Sequence, residues 1–303
     1  MDLGHTIIIG DVHGMYDELQ QLLAAVKYDP SIDRLVLTGD VIHKGPMQLE
    51  CVQQLAGLGA ELALGNHEEK QARFRSTLER HGEKKAMKMK GSREMMDLEE
   101  ELSDNDRAWL ESARLFVPVP GGVVVHAGIP YDLETIPSPE EIELMGKGER
   151  NRLMQVLRIR HVRGIPRSTV QLRLKYSGFG LTPENIDELL ERSFVTQLAA
   201  KSEDHELVQV SHRRRGEFLS LGSETDDDPY WTDLYDGRFG NVYYGHQPWT
   251  GAERPRAHGQ TFGMDLGAVF GGRLAAAVMD NEAIQTDFYT VAAGRKHADG
   301  LWD

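Results

Sequence analysis

A single cysteine, Cys51, stands in a chain of 303 residues. It excludes an intramolecular disulfide framework, suits a reducing compartment, and reads as a small buried apolar residue. No apolar run approaches the roughly 20 residues that a membrane helix needs, and the longest are strand-sized. The N-terminus enters an apolar strand by Thr6 and lacks the basic region, apolar core and small-residue cleavage site of a secretory signal, so a cytoplasmic location is expected. There is no low-complexity tract, no Pro-rich linker and no internal repeat beyond short strand–helix units. Basic residues are in the minority: 34 Lys and Arg against 48 Asp and Glu give a formal charge of -14. That balance argues against indiscriminate adhesion to nucleic acid or an anionic membrane, although it describes the whole surface and not a cleft.

What is present is a globular composition, 40% hydrophobic and 27% charged, long enough for one large domain with insertions or two ordinary ones. Thr6 to Ile9 is a β-branched run, and Leu19, Leu22, Leu23 and Val26 follow at helical spacing. Arg34 to Leu37 reads as a second strand, with Cys51, Val52, Leu55 and Leu58 on the next helix, and Ala60 to Leu64 as a third. Strands alternating with helices of about a dozen residues imply right-handed crossovers and a parallel sheet. From Glu68 to about Phe116 the chain reads as a charged helical insertion, and Gly122 to Val125 as another strand. A second helical, charged stretch runs from Glu140 to about Asp236. Further strands are expected at Val242 to Tyr244, Ala268 to Phe270, Leu274 to Met279 and Thr286 to Val291, and residues 294–303 read as a loose tail.

The chemistry sits where strands end. In Gly10-Asp11-Val12-His13-Gly14, Gly39-Asp40 and Gly65-Asn66-His67-Glu68, a glycine introduces polar residues at the end of an apolar run. Ligands of parallel α/β sheets bind outside the carboxyl ends of the strands, so Asp11, Asp40 and Asn66 are expected to converge on one crevice. Two more strand ends carry His126, in Val-Val-Val-His-Ala-Gly, and His246, in Tyr-Tyr-Gly-His. Carboxylate, amide and imidazole together make the mixed oxygen and nitrogen shell that first-row divalent metals accept. Any one of these pieces is commonly a turn, a cap or a hydrogen-bonded histidine. Five of them in this order are not readily coincidental.

In that order the motifs resemble those of the calcineurin-type metallophosphoesterases of the phosphoprotein-phosphatase superfamily. The resemblance covers about residues 6–291 and is weakest in the two helical insertions. It implies an α/β fold, a four-layer αββα sandwich with helical insertions at about 68–116 and 140–236, all one domain spanning 1–303. It also implies two divalent metal ions. Carried over residue by residue, Asp11 and His13 bind the first ion, Asp40 bridges, and Asn66, His126 and His246 bind the second; manganese, cobalt, iron, nickel and zinc all suit the set. The second motif departs from the family's usual Gly-Asp-x-x-Asp-Arg-Gly: here it is Gly39-Asp40-Val41-Ile42-His43-Lys44-Gly45-Pro46. The Lys-Gly-Pro ending, with the closing Tyr-Gly-His and Val-Phe-Gly-Gly-Arg-Leu patterns, is closest to the ApaH-like phosphatases, related to the diadenosine tetraphosphatases. Lys44 offers phosphate a compact, mobile charge in place of a planar fork. In the family the replaced aspartate orients the histidine of Gly-Asn-His-Glu. With His43 there, either an imidazole orients His67, a carboxylate such as Glu68 does so, or His43 merely caps the loop.

The resemblance implies hydrolysis of a phosphoanhydride in a dinucleoside polyphosphate, such as diadenosine tetraphosphate to two ADP, by a metal-bridging hydroxide. His67 is the candidate general acid, and Lys44 neutralises charge on the transferred group. Alternatives are an endopolyphosphatase or RNA-cap hydrolase of the same subgroup, a protein serine/threonine phosphatase, and a non-catalytic metal-binding module. The expected partner is a small polyphosphate or nucleotide, with an RNA 5′ end as a further option and no membrane; oligomeric state is open. Six Lys or Arg and no acidic residue between Arg158 and Lys175, with Arg213, Arg214 and Arg215 further on, could draw in polyanions, or could be solvated helix faces. Tyr230 and Trp231 could stack on a nucleobase or pack in a core or lid.

Overall fold

Alternate residues of the first strand, β1 (His5–Ile9), face different layers. Ile7 and Ile9 enter an apolar cluster with Leu19, Leu22, Val52 and Leu55, whereas Ile8 joins Val124, Tyr243, Ala275 and Ala277 in another. A strand's side chains alternate with period two, so a strand covered on both faces must be apolar throughout. Strand β2 (Arg34–Leu37) repeats the arrangement, with Leu35 and Leu37 on one side and Val36 on the other. The first cluster is completed by helices α1 (Tyr16–Ala25) and α2 (Gln48–Gly57), which bury Leu19, Leu22 and Leu23, and Cys51, Val52 and Leu55, at spacings of three and four.

The computed structural model describes residues 4–130, 133–163, 197–201, 207–211, 217–218, 224, 229–281 and 285–299. It forms two compact units: Met1–Ile129, Thr135–Arg158 and Tyr235–Asp303 in the first, Pro130–Glu134 and Ile159–Leu234 in the second. After β3 (Glu61–Leu62) the first unit has four helices, α3 (Asn66–His81), α4 (Glu83–Ala86), α5 (Ser92–Glu101) and α6 (Asp104–Glu111). Strands β4 (Val117–Val119) and β5 (Gly122–Val125) follow, then helices α7 (Pro139–Leu144) and α8 (Lys147–Leu153). The second unit holds β6 (Val162–Arg163) paired with β9 (Glu217–Phe218), and the antiparallel pair β7 (Gln197–Lys201) and β8 (Leu207–Ser211). The chain returns to the first unit with β10 (Asn241–Tyr244), β11 (Arg256–His258), β12 (Thr261–Gly263), β13 (Arg273–Asp280) and β14 (Thr286–Ala292).

Two five-stranded sheets result, in the orders β14-β13-β1-β2-β3 and β11-β12-β10-β5-β4. Strands β1, β2 and β3 are parallel, as are β5, β10 and β12, while β13, β14, β4 and β11 run antiparallel to their neighbours. The sheets face each other across the cluster of Ile8, Val36, Val124, Tyr243 and Met264. The fold is therefore an α/β sandwich of two mixed sheets flanked by helices, and the parallel strands end together at one edge. No helix among the described residues is long and apolar enough to cross a membrane.

Three sequence expectations need correction. Ala268–Phe270 is a single 3-10 turn and not a strand, because Gly267 and Gly271 bracket it in the left-handed region at φ 70° and 86°. Among the described residues, the stretch from 140 to 236 is helical through Leu157 and again in a 3-10 turn at Trp231–Leu234, and between them it holds the strands β6 to β9. The tail is docked as far as it is described: Gly294 N–H donates to Glu18 Oε1 at 2.9 Å, and His297 and Ala298 donate to the Val269 carbonyl at 2.9 and 3.1 Å. Truncation after Ala293 leaves the buried Glu18 carboxylate without that donor. It should lower unfolding free energy by about 1–3 kcal/mol in urea titration; an unchanged midpoint would mean the docking contributes nothing.

Candidate metal centre

Each of the five strand-end motifs delivers its polar residue into one buried cluster in the first unit. Asp11 and His13 follow β1, Asp40 follows β2, Asn66 opens α3 just beyond β3, His126 follows β5 and His246 follows β10. All six are nearly excluded from solvent. Two groups of three donors form around a shared carboxylate: His13, Asp40 and His67, and Asp40, His126 and His246, with the donor atoms of each group within 4.8 Å of one another. Asp40 Oδ2 lies 3.6 Å from His13 Nε2 and 4.0 Å from His67 Nε2, and Oδ1 lies 3.5 Å from His126 Nε2. Two donors bound to one ion at about 2.1 Å stand roughly 3 to 3.5 Å apart. Asp11 lies outside these triads: Oδ1 accepts from Thr38 Oγ1 and Oδ2 from His246 N–H, each at 2.9 Å.

The outer contacts of the histidines suit metal ligation. His13 Nδ1 faces the Ile42 carbonyl at 3.1 Å and His126 Nδ1 faces the Thr38 carbonyl at 2.9 Å. A carbonyl only accepts, so both histidines carry N–H at Nδ1 and turn a bare Nε2 inward, the arrangement that fixes a ligand's tautomer. His126 Nε2 then faces Asn66 Oδ1 at 3.0 Å, two acceptors that a shared cation satisfies. At His13 Nε2 the Lys44 ammonium stands 3.3 Å away. The residues present therefore fit a pair of divalent ions.

Electrostatics point the same way. Burial, then the charges of Asp265 and Asp40, hold the Asp11 carboxyl well above the usual carboxylate range. Burial alone would raise Asp40 too, but His126, His67, His13 and Lys44 surround it and hold it well below that range. Burial pushes His13 well down, with Lys44 adding to the shift, and also lowers His126. Bound dications reverse such penalties on the acidic donors and favour the neutral imidazoles.

The backbone is bent to bring the donors together. Of the six described non-glycine residues with positive φ, five are His13, Asp40, His43, Lys44 and His246, at 45° to 72°. Such conformations cost roughly 1–3 kcal/mol each and persist only where surrounding structure over-determines them. Glu68 provides part of that structure: its carboxylate accepts from the N–H groups of Asp40 at 2.8 Å, Val41 at 2.9 Å and Gly65 at 3.1 Å. Burial and the Asp40 charge push this carboxyl up to about 7. Gly245 meets a tighter requirement, since a Cβ there would stand 1.8 Å from Asp11 Oδ1.

His43 turns its side chain inward, with Nδ1 2.9 Å from His67 Nδ1 and Nε2 3.0 Å from Gln71 Oε1. Glu68 is engaged with the Asp40 loop, so the neighbour of His67 Nδ1 is the imidazole. Burial, with His67 adding to it, pushes His43 down to about 3. Lys44 reaches across the Phe270 ring, its Nζ 5.4 Å from the centroid. Arg213 and Arg214 lie outside the described residues, as does the basic stretch after Arg163. Tyr230 and Trp231 are buried in the second unit, where Tyr230 meets His161 edge-on. Sequence reasoning missed Gln71, whose signal was its position one helical turn after His67 on the same face of α3.

An α/β sandwich whose strand ends hold two donor triads on one shared carboxylate defines the class of metal-dependent phosphoesterases. The chain belongs to the calcineurin-like phosphoesterase family, whose model matches residues 4–272. It is 54% identical over 65 residues to a symmetrical bis(5'-nucleosyl)-tetraphosphatase of Klebsiella pneumoniae (strain 342), a match covering 21% of this chain and 23% of that one. A protein of the same name from Glaesserella parasuis serovar 5 is 36% identical over 153 residues, 48% of this chain and 53% of its own. These matches span at most about half the length of either relative. A third, from Aggregatibacter actinomycetemcomitans, is 28% identical over 307 residues, covering 96% of this chain and 98% of that one. Among solved structures, a crystal structure assigned provisionally as a diadenosine tetraphosphatase has a TM-score of 0.58 at 20% identity, covering 96% of this chain and 94% of its own. That last likeness concerns the fold.

Gly245→Ala should displace Asp11 and reduce bound metal, measured by elemental analysis, below two ions per chain while circular dichroism stays native. Full metal content in the variant would show that the close approach is dispensable. His43 supplies a pH prediction. The unfolded chain protonates it near pH 6.5 and the folded chain only near 3, so its contribution is complete above pH 6.5 and is lost as pH falls toward 3. Metal-free His43→Gln should show a shallower acid decline in urea midpoint than wild type, by up to roughly 1.4 kcal/mol per pH unit; equal declines would contradict the assignment.

Proposed function

We propose that the chain is a dinuclear-metal hydrolase of dinucleoside polyphosphates, cleaving diadenosine tetraphosphate to two ADP. The chemistry is carried by one observation, the two donor triads that share buried Asp40. The substrate class is supported by the symmetrical tetraphosphatases to which the chain is similar, one of them along nearly its whole length. Asp11 and His13 would hold one ion, Asn66, His126 and His246 the other, and Asp40 both. Two bound dications supply water activation and charge neutralisation at phosphorus.

The chain's own residues supply the rest. An oxygen–phosphorus bond forms from water as the anhydride oxygen departs, and that oxygen needs a proton or an equivalent cation. His67 would hold the proton at Nε2, the nitrogen directed to the Asp40 side at 4.0 Å, while Nδ1 is engaged by His43. Lys44, with its backbone N–H anchored on Glu94 Oε1 at 2.6 Å and its ammonium beside His13, would neutralise the equatorial oxygens. Its compact, swivelling charge suits an internal phosphoryl group better than a rigid fork would.

The test is one panel with manganese, cobalt or zinc: diadenosine tetraphosphate, long-chain polyphosphate, capped RNA, phosphopeptides and nitrophenyl phosphate. The tetraphosphate should be hydrolysed fastest, with ADP as the only nucleotide product. Turnover confined to phosphopeptides and the nitrophenyl ester would overturn the substrate assignment, and preference for polyphosphate or capped RNA would move it within the branch. His67→Ala should lower kcat on the tetraphosphate roughly 100- to 10,000-fold while still binding two ions.

A further inference from the structure

Gln71 lies outside the donor set, yet its side chain is buried, 1% exposed, one turn of α3 beyond His67. Its Nε2 stands 3.0 Å from the Met95 carbonyl oxygen and 2.9 Å from Glu99 Oε2. Both of those atoms can only accept. The Glu99 carboxylate is in turn gripped by Arg75 and Arg107, whose Nε atoms donate to Oε1 at 2.9 and 2.8 Å. Both amide protons of Gln71 are thereby engaged, and the amide oxygen is fixed toward His43 Nε2. An oxygen at that point requires N–H on Nε2. A neutral imidazole carries one N–H, so Nδ1 of His43 presents a lone pair to His67 Nδ1 across 2.9 Å.

We infer that Gln71 is a positioning residue for the reaction: clamped by Met95 and Glu99, it fixes the Nε2–H tautomer of His43 and so makes a neutral imidazole the hydrogen-bond acceptor for His67. The inference rests on the proposed role of His67 as proton donor. A protonated His67 carries N–H on both nitrogens and needs an acceptor at Nδ1 if Nε2–H is to face the leaving oxygen. In the step itself the Nε2 proton goes to the oxygen, the Nε2–H bond electrons stay on the ring, and His67 ends neutral with Nδ1–H in place. The other tautomer of His43 would set N–H against N–H and disfavour the charged donor. The device therefore does with an imidazole what a carboxylate does elsewhere, without adding a negative charge next to Asp40.

Nitrogen-15 NMR of histidine-labelled, zinc-loaded full-length protein reads the tautomer directly, with the His43 signals assigned by their loss in His43→Gln. A protonated Nε2 and a bare Nδ1 are expected, and Gln71→Met should mix or reverse them. The same variant should keep its zinc content and KM but lose kcat on diadenosine tetraphosphate roughly 10- to 100-fold. On aryl esters the loss should be larger for phenyl phosphate, whose strongly basic leaving oxygen needs the proton, than for nitrophenyl phosphate, whose leaving group does not. A protonated Nδ1 on wild-type His43, or equal losses on the two aryl esters, overturns the inference. If wild-type protein does not hydrolyse diadenosine tetraphosphate, the proposed function fails, and the NMR tautomer still decides the hydrogen-bond assignment on its own.

Discussion

Asp40 is a fully buried carboxylate, and the rest of the first unit is arranged around the problem this creates. An ionised group removed from water has to be surrounded by compensating charge or dipole. Here His126, His67, His13 and Lys44 close around it from four separate chain segments. Its position at the end of β2, between strand ends of both sheets, lets one carboxylate serve two donor groups. Were it on a helix face or a surface loop, histidines following β1, β5 and β10 could not all approach it within a metal ion's reach.

That convergence explains the strain. Strand ends splay with the twist of their sheets, and drawing six side chains into one volume requires turns that ordinary residues avoid. Five left-handed residues at the centre are the consequence, and the stability they cost comes from layers whose core strands are apolar on both faces. Glu68 couples the two regions, since one carboxylate caps the start of α3 and gathers the N–H groups of the Asp40 loop.

The parts legible from sequence were those with a repeated local grammar. Ile7, Ile8 and Ile9 form a run that is apolar on both faces, and glycine followed by a polar residue at its end announces a turn with work to do; Asp11, Asp40 and Asn66 were readable for that reason. His126 and His246 were readable because each closes an apolar strand. Ala268 to Phe270 misled because an apolar triplet looks the same in a strand and in a turn, and only the flanking glycines decide it. Gln71 and Glu99 were harder to read, since a Gln and a Glu on charged helices look solvated until tertiary packing buries Gln71 against Glu99 and Glu99 between Arg75 and Arg107. The role of His43 stayed open in sequence because orientation of His67 depends on which side chain meets Nδ1 in space.

The central claim is that one buried carboxylate is shared by two metal ions. Anomalous diffraction from manganese-loaded crystals tests it most directly. Two peaks are predicted, roughly 3.5–4 Å apart, one on each side of the Asp40 carboxylate, the first contacting His13 and the second His126 and His246. A single peak, or a pair that leaves Asp40 uncoordinated, would contradict the account.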